Sequence, residues 1–222
     1  MFVHQHPYPP ILFPEATRLI VGTLPPPRFT QGLLKSGDVD FCYGSRDGLL
    51  WPILDRIFDL GLAYEDTEHA ARQRLDFLKA RKIGICDIVE CAHRDRIDAS
   101  DLGMRDLELR DLLGVLRDYP RVKTLLFTGG NSQNGPEYLF RRLLRAEGIA
   151  LEAVSEEVPR IYRFALPGPA GVAREVRTVS LTAPSGSANR AVGSIPEYKA
   201  RKAKDPDYTV LDYRVEQYRM YF

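Results

Sequence analysis

Val21-Gly22-Thr23-Leu24-Pro25-Pro26-Pro27-Arg28-Phe29 is the stretch on which the fold assignment turns. The apolar run Leu19-Ile20-Val21 stops at a glycine, and three successive prolines then prevent continuation as a helix or a ladder strand. A buried strand that delivers its chain to a stiff loop belongs in an open α/β sheet, where ligands bind outside the carboxyl ends of the strands. On its own the stretch also fits a rigid surface turn, so the decision rests on what flanks it.

Further apolar runs repeat the pattern. Ile83-Gly84-Ile85-Cys86-Asp87-Ile88-Val89 reads as a second buried strand with a carboxylate inside it. A buried carboxylate is costly unless it is paired or used, which makes Asp87 a candidate functional residue. Val122 to Thr128 reads as a third strand, closed by Gly129-Gly130-Asn131-Ser132, and Ile149 to Val154 as a short fourth. Ile161 to Ala165 and Glu175 to Leu181 alternate on either side of Pro167-Gly168-Pro169-Ala170-Gly171, the pattern of a hairpin.

Helical spacing fills the intervals. Leu50, Ile53, Leu54 and Ile57 mark a helix from Leu49 to Leu60, capped by Ser45 or Asp47 and ended by Gly61. Thr67 to Lys82 is a charged helix with a thin stripe at Ala71, Leu75 and Leu78. Leu102 to Leu116 reads as a helix with Leu109, Leu112, Leu113 and Leu116 inside, and Asn134-Gly135-Pro136 starts another that stops at Gly148. The alternation predicts one α/β domain over residues 1–222: a mostly parallel central sheet of about four strands, helices on both faces and an extra hairpin. Residues 1–14, rich in proline, form an extended arm, and 205–222 form a C-terminal helical segment packed on the core. The loops after the first, second and final strands then gather along one edge.

Composition narrows the chemistry. In 222 residues, 31 Lys and Arg balance 30 Asp and Glu, so a polyanion must be held by a local patch. Cys42, Cys86 and Cys91 are odd in number and contain no CxxC pair, which gives neither a disulfide framework nor a metal site. His4 and His6 have the spacing of a metal pair, but in a proline-rich arm such spacing is more often incidental; no metal and no cofactor are expected. There is no GxGxxG, no Walker lysine and no GxSxG, and Ser185 has no histidine beside it, which disfavours dinucleotide, nucleotide and serine-hydrolase sites. The N-terminus lacks a signal peptide's charged and apolar regions, and no apolar run reaches the roughly 18 residues of a membrane span, so a cytoplasmic protein without membrane contact is expected. A monomer is expected as well.

Two loops carry the functional signal. Gly22 to Asp47, about 25 residues, exceeds the usual connection length, as functional loops often do. Pro184 to Arg190 is small, stiff and polar, suited to phosphate contact, and Arg190, Lys199, Arg201, Lys202 and Lys204 follow it. The proline-walled first loop and Tyr43 can form a slot for a flat base.

Together these motifs resemble the uracil-DNA glycosylase superfamily. Gly22-Thr23-Leu24-Pro25-Pro26 resembles its Gly-x-x-Pro loop after the first strand, and Ala183-Pro184-Ser185-Gly186-Ser187-Ala188-Asn189 its Pro-Ser-rich loop after the last. The hypoxanthine-DNA glycosylase-type branch looks nearest: Phe41-Cys42-Tyr43-Gly44 leads into Leu50-Trp51-Pro52-Ile53, and Asp87 is followed by Arg94. The resemblance implies a monofunctional glycosylase that flips a deaminated base (uracil, hypoxanthine or xanthine) from DNA and hydrolyses its N-glycosidic bond, and DNA containing such a base as partner. It implies that Thr23, Leu24 and Pro25 hold base and water, that Tyr43 stacks on the base and that Asp87 reads its edge. It also implies that Pro184, Ser185, Gly186, Ser187, Asn189 and Arg190 contact DNA. Leu24 stands where many members have Asn or Asp to activate water, Gly48 where the nearest branch has a catalytic Asn, and Ala183 where many members have His or Asn. Asp47, beside Gly48, is therefore the first candidate catalytic carboxylate and Asp87 the second. A weakly catalytic nucleic-acid-binding protein of the same fold is the alternative.

Overall fold

The computed structural model describes residues 2–168 and 171–222. A strand β1 (Phe2–Gln5) opens the chain, followed by β2 (Arg18–Val21) from the first apolar run. The long loop contains one short helix, α1 (Pro27–Thr30). Then come α2 (Leu50–Phe58), α3 (Glu68–Arg81), β3 (Ile83–Ile85), β4 (Val89–Arg94), β5 (Met104–Leu109) and α4 (Leu112–Asp118). The second half contains β6 (Thr124–Phe127), α5 (Pro136–Ala146), β7 (Glu152–Ser155), β8 (Arg160–Pro167), β9 (Ala173–Ser180), α6 (Asn189–Ser194), α7 (Pro196–Lys204) and α8 (Val210–Arg219).

The main sheet has six strands in the order β3-β2-β6-β9-β8-β7, two more than the sequence predicts. β3, β2, β6 and β9 are parallel to one another, and β8 and β7 continue the sheet antiparallel. The hairpin is thus not an appendage: β9 is both its second arm and the fourth parallel strand. Pro169 and Ala170, in the predicted turn, lie outside the described residues, as does Met1 of the predicted arm.

Both faces of the parallel strands are covered, as their continuous apolar runs require. Successive strand residues point to opposite faces. Leu19, Val21, Leu125 and Phe127 therefore join one core cluster with Leu112 and Leu116 of α4 and Leu139 and Phe140 of α5. Ile20 and Leu126 join the other, with Trp51, Ile53 and Leu54 of α2, Leu78 of α3 and Tyr218 of α8.

A second sheet, order β1-β4-β5 and wholly antiparallel, is not anticipated by the sequence reading. The run from Ile83 to Val89 is not one strand. The chain leaves the main sheet after Ile85 and enters the small sheet at Val89, and Asp87 occupies the bend. The predicted helix from Leu102 is a strand, β5, up to Leu109, and helical only from Leu112. Leu107 and Leu109 have the alternation of a strand paired to β4, while Asp111 caps α4 by accepting from the Gly114 amide at 2.8 Å. Part of the expected extended arm is the edge strand β1.

Helix details also shift. α2 has no side-chain cap; Leu49 precedes it and Asp59, left-handed at φ 51°, ends it. The inner face of α3 is Ala70, Arg74, Phe77 and Leu78. Arg74 is buried because its guanidinium lies over the rings of Trp51 (5.4 Å) and Tyr64 (5.2 Å) and donates to the Ala63 and Ala70 carbonyls.

Between the small sheet and the loop that follows β4, His4 and Arg94 are buried against each other, with Arg94 Nε donating to His4 Nδ1 at 2.8 Å. Burial first, and the Arg94 charge second, lower the His4 pKa from 6.5 to about 4. The unfolded chain therefore takes up this proton before the folded one. The stabilisation is complete above pH 6.5 and is lost as pH falls towards 4, a change of about 2–3 kcal/mol. Urea titrations at pH 7 and pH 4.5 should show that loss, and His4→Asn, whose oxygen can accept from Arg94, should shrink it. An equally steep pH dependence in the variant would rule His4 out as its source.

Candidate active site

Three parallel strands end side by side. At that edge the Thr128 amide donates to Val21 O, Cys86 N to Ile20 O and Ile88 N to Gly22 O, each at 3.0 Å. The chain beyond each strand is thereby held at one place, outside the carboxyl ends, where an α/β sheet binds ligands.

Asp87 occupies the centre. It is 6% exposed. Its Oδ1 accepts from the Gly22 amide at 2.6 Å and from the Tyr43 hydroxyl at 2.5 Å. Its Oδ2 lies 3.0 Å from His6 Nε2. The Tyr8 amide donates to His6 Nδ1 at 3.2 Å, so Nε2 is the ring donor to Asp87. Three donors from three separate segments thus compensate the burial of one carboxylate.

Gly22 is demanded by this crowding. A β-carbon there would lie 2.8 Å from Thr128 Oγ1 and 3.0 Å from Asp87 Oδ1, and closer still to the Tyr43 hydroxyl. Tyr43 reaches the site from a left-handed backbone, φ 59°, a conformation a bulky residue adopts only where its surroundings enforce it. Burial, and then the Asp87 charge, raise its hydroxyl well above the ordinary tyrosine pKa.

The proline loop closes one side. Leu24 packs on the first core cluster, and Pro25 is half-buried beside it. The Thr23 hydroxyl donates to Asp101 Oδ1 at 2.7 Å, bringing a second carboxylate to the loop. The Asp101 main chain is held in turn by Asn134, whose amide donates to the Asp101 and Met104 carbonyls at 3.0 Å.

Asp47 lies elsewhere on the rim. Its side chain is 70% exposed and pairs with Arg28 at 3.2 Å. Arg28 chiefly serves Asp38, gripping both of its oxygens at 2.7 and 2.8 Å, and also reaches Ser45. Burial alone would raise the Asp38 carboxyl, but Arg28 and the Arg46 and Lys35 amides hold it at about 2. Arg28 thus ties the start of the long loop to Asp38 within it and to Ser45 and Asp47 at its end, and no hydrogen bond among the described residues links Asp47 to Asp87.

The last loop joins this rim. The Leu49 amide donates to Pro184 O at 2.8 Å, and Gly48 and Ser185 form an antiparallel bridge. From the other side, buried Arg214 of α8 donates to Asn189 Oδ1 (2.7 Å) and Ser185 O (3.1 Å). Ser185 and Ser187 hydroxyls are 3.0 Å apart, Pro184 is buried, and Gly186, Ser187, Asn189 and Arg190 are exposed. Of the cations that follow, Arg201 is engaged with Glu197 and Glu216, and Lys202 with Pro206 O. Arg190, Lys199 and Lys204 make no ion pair among the described residues.

The structure therefore brings Thr23, Tyr43 and Asp87 together around Gly22. It sets Asp47 with Pro184 to Arg190 along an adjoining rim. His6, Thr128 and Asp101 complete the inner group without having been singled out for it. His4 and His6, two apart on a strand and its extension, share one face and both are buried, a signal the Phe2-Val3-His4-Gln5-His6 alternation contained. They do not converge on one point: His4 meets Arg94 and His6 meets Asp87. No local pattern marks Asp101. Among the described residues no three His, Cys, Asp or Glu side chains are arranged to hold a metal, and no helix is long and apolar enough to cross a membrane. A groove of about 480 Å³ lies apart, against Pro10, Glu90, Leu109 and Arg110. There Arg110 is bound to Glu90 and Tyr8 O, and Asp111 caps α4, so the groove brings together no group of strand-end residues like that around Asp87.

No family model matches the chain, and no curated protein matches it in sequence. Among solved structures it is similar to the solution NMR structure of a protein from Methanosarcina acetivorans provisionally named a uracil DNA glycosylase. The two are 19% identical, the match covers 97% of this chain and 99% of that one, and the TM-score is 0.54. The chain shares the fold of that protein over nearly its whole length.

Proposed function

We propose that the protein is a DNA glycosylase that flips a deaminated base out of DNA and hydrolyses its bond to the sugar. The observation that carries this reading is the convergence of Gly22, Tyr43 and Asp87 at the carboxyl ends of parallel strands, beside a rim of exposed small and polar residues. The fold likeness and the order of the sequence motifs support it independently.

The geometry supports the following roles. The Tyr43 ring, anchored through its hydroxyl, offers the flat surface on which an extruded base stacks. Asp87 already accepts three hydrogen bonds, so it contributes mainly by holding Gly22 and Tyr43; the acceptor capacity left on Oδ2 favours a base edge that offers an N–H. This is compatible with hypoxanthine or xanthine as well as uracil. Thr23, Leu24 and Pro25 form the loop wall. Ser185, Gly186, Ser187, Asn189 and Arg190 meet the DNA from a loop that buried Pro184 anchors to Leu49, with Arg190 and its unpaired lysine neighbours supplying the positive charge.

A second reading, nucleic-acid binding with little turnover, is favoured by Leu24 facing the core and by the exposure of Asp47. Labelled duplexes carrying uracil, hypoxanthine or xanthine, incubated with the protein and then cleaved with alkali, separate the two. Base release is the expected result. Retention of these duplexes without release supports the binding reading, and no retention at low salt removes both. Asp47→Asn tests the rim carboxylate: a position this exposed and salt-bridged should cost release less than about tenfold if it only tunes the rim, and about 100-fold or more if it is the general base.

A further inference from the structure

Resting on that glycosylase reading, we infer that Asp101 is a catalytic carboxylate of this site, accepting the proton of the attacking water in the place of the side chain that Leu24 cannot supply. Three carboxylates border the Gly22 to Pro25 loop or its rim, and their hydrogen bonds distinguish them. Asp87 has both oxygens engaged, by Gly22, Tyr43 and His6. Asp47 is exposed and bound to Arg28. Asp101 has one oxygen fixed by the Thr23 hydroxyl, while Oδ2 has no hydrogen-bond partner among the described residues. Asn134, itself buried and left-handed at φ 61°, locks the Asp101 main chain to that of Met104. A rigid carboxylate with one free oxygen, one residue from Leu24 through Thr23, has the form of a general base.

The step balances simply. The water oxygen bonds to the sugar C1′, the C1′–N bond breaks, and its electron pair leaves on the base. Asp101 Oδ2 takes the water proton and returns it through solvent to the anionic base, leaving a 1′-hydroxyl and a free neutral base. The positive charge that develops on the sugar in the transition state also favours a nearby carboxylate.

The surroundings bias its titration. Burial raises the Asp101 carboxyl above its ordinary value of 3.8; the Thr23 hydroxyl and Arg94 of β4 oppose the rise, and Asp87 in the bend adds to it. Asp98, on the same connection, faces Arg94 at 3.5 Å. Base release should accordingly show an acidic limb above pH 3.8 that reports Asp101.

The test uses Asp101→Asn and Thr23→Val in the full chain, measured by single-turnover release from the duplex that the wild type cleaves best. Asn retains the acceptor for the Thr23 hydroxyl, so the loop stays tethered while the base is lost. Release should fall at least about 100-fold and lose the acidic limb. Thr23→Val keeps the carboxylate but removes a bond that lowers its pKa, so its acidic limb should move to higher pH. Activity of Asp101→Asn within about threefold of wild type, or an unmoved limb in Thr23→Val, overturns the assignment while leaving the glycosylase reading intact. If Asp101→Asn does not fold, the limb of Thr23→Val decides alone. A wild-type chain that releases none of the three bases overturns the proposed function and this assignment with it.

Discussion

Gly22→Ala is expected to remove nearly all base release while leaving a folded protein. The backbone at Gly22 is not left-handed, so alanine suffers no conformational penalty there and the whole effect comes from contact. The new methyl would press on the Tyr43 hydroxyl, Thr128 Oγ1 and Asp87 Oδ1 together. None of them can yield alone, because each is bonded to another or to the main chain. Overpacking of this kind costs about 1–3 kcal/mol of stability. The catalytic cost is larger, since a displacement of about 1 Å in a reacting group can lower a rate 100-fold. Thermal unfolding alongside single-turnover release separates the two effects. A variant with release within about threefold of wild type would show that Gly22 does not border the reaction.

Asp87→Ala should be the most destabilising single change at the site. It leaves the Gly22 amide and His6 Nε2 without their acceptor, and the Tyr43 hydroxyl with only Thr128 Oγ1, 3.4 Å away. Each buried donor without an acceptor costs about 1–3 kcal/mol, so a total on the order of 3–5 kcal/mol is expected, short of full additivity. Asp87→Asn is only a partial rescue. Its amide nitrogen must face either the Gly22 and Tyr43 donors or the His6 donor, and His6 cannot change tautomer without giving up the Tyr8 amide. Urea unfolding midpoints should rank wild type above Asn and Asn above Ala. An Ala variant less than about 1 kcal/mol weaker than wild type would mean the donors find other partners.

Much of this was legible in the chain, and the gaps have physical causes. Leu19-Ile20-Val21, Val122 to Thr128 and the hairpin arms are short apolar or alternating runs bounded by Gly and Pro, which report strands well. Asp87 announces itself because a carboxylate among aliphatic residues needs a reason. The small sheet is hidden because its strands are made of mixed residues. Cys91-Ala92-His93-Arg94 and Met104 to Leu109 gain their strand character from pairing with each other and with β1, and tertiary pairing of that kind leaves little local trace. Leu109, Leu112, Leu113 and Leu116 do have helical spacing, but the first belongs to a strand and only the rest to α4. Within the site, residues one strand-end away were readable. Asp101 was not, because its place depends on a connection steered by Asn134 and Thr23.

The bend at Asp87 has a consequence for how the molecule comes together. Its partners Tyr43, Gly22 and His6 are separated from it by 44, 65 and 81 residues of chain. Contacts so distant must first meet the entropy of closing long loops, and folding slows as their share rises. Until β1 has docked on β4 and β2 lies beside β3, the carboxylate has nothing to bind and is better off in water. The candidate site is thus a junction between the two sheets, complete only once residues from both have been brought to Asp87.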